Sequence, residues 1–181
     1  MASEGPLSPD SGTNDAGYGS VAWTDPGNIL ASDGSKATAI LSLGLTPSNY
    51  LVATDFDFAI PGGATIDGIV VEIERSCGML ESVADDRVRI VKGGTVGATD
   101  RSSADVWPDA DAYKTDGSSS DLWGETWADT DINATTFGVA LSAGSDGGVA
   151  SVDHIRITVY YTAAAGTAAK QGQYRRRRAA A

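Results

Sequence analysis

Cysteine and histidine are almost missing from this chain: its 181 residues hold one of each, Cys77 and His154. A lone thiol forms no internal disulfide, and the two residues together cannot supply the ligands of a structural zinc site. Aromatic residues make up only 7%, and bases are outnumbered, 13 Lys plus Arg against 24 Asp plus Glu. Long apolar runs are lacking too. No stretch approaches the roughly 20 residues of a membrane-spanning helix. The opening MASEGPLSPD has neither the basic start nor the apolar stretch of a secretory leader. The expectation is a soluble chain stabilised by an ordinary core. Apolar content of 41% is compatible with that, since a single domain of this length buries about 70% of its unfolded-chain surface.

What the chain does have is aspartate and glycine. Nineteen of the 24 acids are Asp, and there are 22 Gly. Aspartate favours turns and caps whereas glutamate favours helix interiors, so the bias predicts many loops joining strands. Charge is unevenly placed. Every acid precedes Ala163, while Lys170, Arg175, Arg176, Arg177 and Arg178 follow it, so the body sets eight bases against 24 acids, or −16, and the tail carries +5. An acidic body repels nucleic acid and anionic membranes, leaving the tail as the one segment suited to an acidic protein surface or a phosphate backbone.

Residues 1–20 hold Pro6, Pro9 and several glycines without apolar periodicity and read as an extended N-terminal arm. Turn chemistry follows at Thr24-Asp25-Pro26-Gly27-Asn28 and Ser32-Asp33-Gly34-Ser35. Period-two alternation then marks the strands. Lys36 to Leu43 places Ala37, Ala39, Leu41 and Leu43 on one face; Asn49 to Ile60 does the same with Phe56, Phe58 and Ile60. Thr65 to Arg75 turns Ile69, Val71 and Ile73 inward and Val70, Glu72 and Glu74 outward, and Val88 and Ile90 alternate with Arg87 and Arg89. If those two strands are antiparallel neighbours, the Glu and Arg pairs face each other on the solvent side. Thr95 to Asp131 loses the alternation and reads as a long ordered loop. Two strong strands close the pattern, Thr136 to Ser142 with Phe137, Val139 and Leu141, and Ala150 to Tyr161 with Ile155, Ile157, Val159 and Tyr161. Seven or eight strands without an amphipathic helix predict an all-β, antiparallel β-sandwich, jelly-roll-like. Its expected organisation is an arm over 1–20, a sandwich over 21–162 and a flexible basic tail over 163–181.

Few residues offer chemistry. Asp153 and His154 are adjacent on a strand and point to opposite faces, so Asp153 cannot orient the ring as a triad requires. Cys77 has no histidine near it in sequence and reads as a buried small apolar thiol. Asp129, Asp131 and Asn133 have the opening rhythm of a calcium loop, but Ala134 and Ala140 stand where the helix-loop-helix type needs Gly and Glu. A non-standard loop calcium site on these residues, or on Asp109 and Asp111, is the alternative to no cofactor at all. Trp107, Tyr113, Trp123 and Trp127 have two readings: a glycan-binding platform of exposed rings, or rings folded inward to give the long loop its own core.

The blocks Ser48-Asn49-Tyr50-Leu51, Phe56-Asp57-Phe58-Ala59-Ile60-Pro61, Gly63 through Arg75, Val91-Lys92-Gly93-Gly94, Asp121-Leu122-Trp123-Gly124, Phe137-Gly138-Val139 and Val152 through Tyr161 resemble a β-sandwich domain met in tailed-bacteriophage structural proteins. The resemblance runs from about Ser11 to Thr162 and omits the basic tail. It implies a virion component on the capsid or tail surface and carries no catalytic residue. The expected function is therefore non-enzymatic: a capsid decoration or cement protein, homo-oligomeric, whose arm and tail (Lys170, Arg175, Arg176, Arg177 and Arg178) bind capsid or other virion proteins. A carbohydrate-binding or receptor-recognising module of a tail fibre or cell-surface protein is the alternative.

Overall fold

A computed structural model describes residues 1–42, 46–79, 81–145 and 147–165. Among them are ten strands: β1 (Ala2–Leu7), β2 (Ser11–Asp15), β3 (Ala37–Leu41), β4 (Tyr50–Thr54), β5 (Thr65–Ser76), β6 (Val83–Lys92), β7 (Thr95–Val96), β8 (Ala112–Ser118), β9 (Gly138–Ser145) and β10 (Gly148–Thr162). Helix among the described residues is confined to a 3-10 turn, Pro26–Ile29, and the single turn α1 (Asp129–Ile132).

The strands pair antiparallel in two sheets. In the first, β10 lies between β5 and a composite edge, with β8 beyond β5; in the second the order is β2-β4-β9-β6-β7. The composite edge follows from the length of β10. Its first residues pair with β3 and its last with β1, and between them Leu30 bridges His154. The chain is an all-β sandwich, as the turn-rich, period-two sequence predicts.

Cross-strand register explains the core. Ile69, Val71 and Ile73 of β5 lie opposite Val159, Ile157 and Ile155 of β10, and all six are fully buried. Phe137, Val139 and Leu141 bring the second sheet onto them, together with Val88 and Ile90. Each such side chain contributes about 1.5–3 kcal/mol when removed from water. A smaller cluster of Tyr50, Val91 and Ala140 lies apart from this core, with Tyr18, Val52 and Val96 packed against it.

Four expectations change. The arm over 1–20 supplies β1 and β2, which pair with β10 and β4 of the same chain. The strand expected through Ile60 ends at Thr54, because Asp55 and Asp57 adopt left-handed backbone at φ 63° and 54°. Phe56, Phe58 and Ile60 remain buried beyond it, so the alternation outlasts the ladder. Strands β5 and β6 belong to different sheets; Glu72 pairs with Arg156 of neighbouring β10, and Arg89 pairs with Asp100. Finally, the loop over 95–131 contains the edge strand β8. Leu43, expected on the inner face of β3, lies outside the described residues, as do 166–181 and with them Lys170, Arg175, Arg176, Arg177 and Arg178.

Candidate functional site

Two polar centres stand out, one on each side of β5. The first surrounds His154. A bulge in the β10–β5 register falls between Val152 and His154, so Asp153 and His154 are both buried while Ile155 keeps its inward phase. The Asp153 carboxylate accepts the Gly34 backbone N–H. The ring of His154 instead has the Ser8 hydroxyl 2.9 Å from Nε2 and the Tyr113 hydroxyl 2.8 Å from Nδ1. Arg156 lies 4.0 Å over the Tyr113 ring and holds Glu72 through two 2.9 Å bonds. Burial pushes the imidazole below its ordinary value, more than neighbouring Glu74 raises it. A serine on one ring nitrogen and a phenol on the other is a clamp joining the end of β1, β10 and β8. Two shallow hollows are lined by residues including Ser82, Asp86, Gly144 and Ser145 or Thr46, Pro47 and Asp86, and neither contains Ser8 or His154.

The second centre lies between the sheets. Lys114 and Asp116 of β8 are opposite Ile73 and Val71 in register, so an edge strand presents two charges to the interior. Asp85 of β6 meets them with a side chain of 0% exposure. Its Oδ1 accepts from Arg75 Nη1 and, at 2.9 Å, from Trp107 Nε1; its Oδ2 accepts from Lys114 Nζ at 3.1 Å and from the Ser103 backbone N–H at 3.1 Å. Lys114 Nζ also pairs with Asp116 Oδ1. Burial lowers the Arg75 guanidinium to about 10 and raises the Asp116 carboxyl. The pattern could have been suspected from Lys114-Thr115-Asp116, whose charges have the spacing of one strand face. Asp85 itself carries no such signal.

The four candidate aromatics do not form a shared exposed platform. Trp107 and Trp123 are 2% and 1% exposed, the latter donating its indole N–H to the Ile69 carbonyl. Trp127 packs edge-on against Phe137 and has Lys92 above its ring. Tyr113 is engaged with His154 and Arg156. Trp107, Trp123 and Trp127 therefore pack into or against the core, whereas Tyr113 does not, and the four rings do not form the exposed platform that glycan binding was expected to use. Four of the five calcium candidates are similarly occupied. Asp129 accepts the Gly63 N–H, Asp131 accepts the Ala128 N–H and pairs with Lys92, Asn133 exchanges two bonds with Ile60, and Asp111 pairs with Lys36. Among the described residues no group of three or more His, Cys, Asp or Glu is arranged to hold a metal ion. Cys77 is buried, its Sγ 3.1 Å from the Trp107 carbonyl oxygen, and burial pushes the thiol up. No family model, curated protein or solved structure matches the chain.

Proposed function

We propose that the protein is a non-enzymatic structural component of a tailed-phage virion, in which a jelly-roll-like sandwich decorates or cements the capsid and binds its neighbours through the basic tail. The observation that carries the reading is the division of charge, −16 before Ala163 and +5 after it. Guanidinium groups pair with carboxylates in forked, directional bonds, so such a tail suits an acidic protein neighbour, including another copy of this body. The sequence resemblance to phage structural proteins points the same way. Because β1 and β2 pair within the fold, the reading keeps the tail alone of the two segments expected to dock. Repetition of one tail-to-body contact around a symmetry axis would close copies into a ring or clamp adjoining capsomers.

Co-sedimentation with capsids of the phage whose genome encodes the chain tests this. Saturable binding in a fixed ratio to capsid subunits is the expected result. Absence of binding to assembled capsids overturns the reading, as does equal binding to bare DNA.

A further inference from the structure

We propose that Lys114 and Asp85 become covalently joined, by an amide between Lys114 Nζ and Asp85 Cγ that ties β8 of one sheet to β6 of the other. The inference goes beyond the virion reading and does not depend on it.

The reacting groups are already in contact. Lys114 Nζ stands 3.1 Å from Asp85 Oδ2, and the Asp85 side chain has 0% exposure. Holding two groups at such distances in a fixed orientation supplies much of what a condensation lacks in solution. The surroundings supply the rest. Oδ1 of Asp85 is where negative charge develops when nitrogen adds to Cγ, and it already faces the Arg75 guanidinium and the Trp107 indole N–H at 2.9 Å. Donors placed there before reaction stabilise that charge without reorganising. Asp116, 6% exposed, touches the same Lys114 nitrogen through Oδ1, while its buried Oδ2 has no hydrogen-bond partner. Its burial-raised affinity for protons suits a shuttle.

The balance needs no outside reagent. An ammonium and a carboxylate give an amide and a water. Asp116 takes a proton from Lys114 and passes it to Oδ2, and the freed nitrogen pair attacks Asp85 Cγ while the carbonyl pair moves onto Oδ1. A second proton follows from nitrogen through Asp116 to Oδ2; the Oδ1 pair returns to re-form the carbonyl as the Cγ–Oδ2 bond breaks, and Oδ2 departs as water, leaving one hydrogen on the amide nitrogen. Asp116 ends as it began. Four buried charges become two, with Arg75 facing Asp116, which reduces the desolvation a buried ionic cluster must bear.

Intact-mass spectrometry of the folded full-length chain decides the matter. The expected mass is lower than that of the sequence by one water, with proteolysis yielding a single linked pair of peptides containing Lys114 and Asp85. Aspartyl-glycine sequences, such as Asp33-Gly34 and Asp67-Gly68, also lose water as succinimides, but hydroxylamine cleaves those and spares a side-chain amide. Lys114→Arg keeps the positive charge and should restore the full mass. Asp116→Asn should slow linkage by about 100-fold, the scale of a lost proton shuttle. A folded wild-type chain that retains its full mass after prolonged incubation overturns the proposal. So does a water loss that maps to a succinimide, joins Lys114 to Asp116, or persists in Lys114→Arg.

Discussion

Replacing Asp85 by alanine would remove the shared acceptor of Arg75, Lys114, Trp107 and the Ser103 backbone at once. Removing one partner from a buried ion pair costs about 3–5 kcal/mol, because the remaining charge stays desolvated. Relative to the chain in which Lys114 and Asp85 are still an unlinked ion pair, D85A is accordingly expected to lower the unfolding free energy by about that amount in urea titrations, and a loss below about 1 kcal/mol would match an exposed pair instead. His154 makes a different prediction. Burial holds its folded-state value below that of the free ring, near 6.5. As pH falls below that value the unfolded chain binds the proton first, so the contribution of neutral His154 is complete above it and declines beneath it. The charges of Glu74, Arg156, Asp153 and Glu72 act on the ring, those of Glu74 and Arg156 in opposite directions. His154→Gln should flatten the decline in melting temperature between about pH 6.5 and 5; an unchanged slope would assign it to other groups. The sequence placed His154 on a strand beside Arg156, yet its partners were not legible, since Ser8 and Tyr113 lie 146 and 41 residues away.

Edge strands were the least legible elements, and the reason is physical. A central strand such as β5 buries one face and therefore writes an alternating pattern, with Ile69, Val71 and Ile73 at every second position. β1 buries no residue fully, and it carries Pro6, which an edge tolerates because a missing donor there breaks no interior ladder. β8 places Lys114 and Asp116 where an apolar pair would have announced it. Both strands nevertheless cover neighbours with strong apolar alternation. Deleting residues 1–10 should strip the edge from Ile157 to Tyr161 of β10, free the Ser8 bond to His154, and expose a row of unpaired backbone groups. A lowered melting temperature and concentration-dependent light scattering are the expected results. An unaltered melt with a monomeric truncated chain would mean that β1 contributes nothing to the sandwich. In β9 and β10, by contrast, the inward phase was legible though the ends were not, because Phe137, Val139, Leu141, Ile155, Ile157 and Val159 all reach the core in the phase that alternation assigned.

At the scale of the whole molecule the net charge of −11 conceals two opposed segments. Composition alone made that visible. The strands and core described here lie before residue 166, so a chain ending at Ala165 should melt within a few degrees of the intact protein. Its associations should change much more. Truncation removes five positive charges and leaves the body at −16, so copies that attracted one another tail to body would then only repel. Exposed charges are screened beyond about 8 Å at physiological ionic strength, which limits tail docking to close contact and makes it sensitive to salt. Sedimentation velocity of the isolated protein should therefore show association of the intact chain at low salt, dissolving as salt is raised, and a monomer at every salt concentration for the truncated chain. Capsid binding should follow the same order, steeply salt-dependent for the intact chain and weak throughout for the truncated one. Equal affinity and equal salt dependence of the two chains in both measurements would remove the tail from the interface, because a +5 segment making close ionic contacts cannot be lost without altering either.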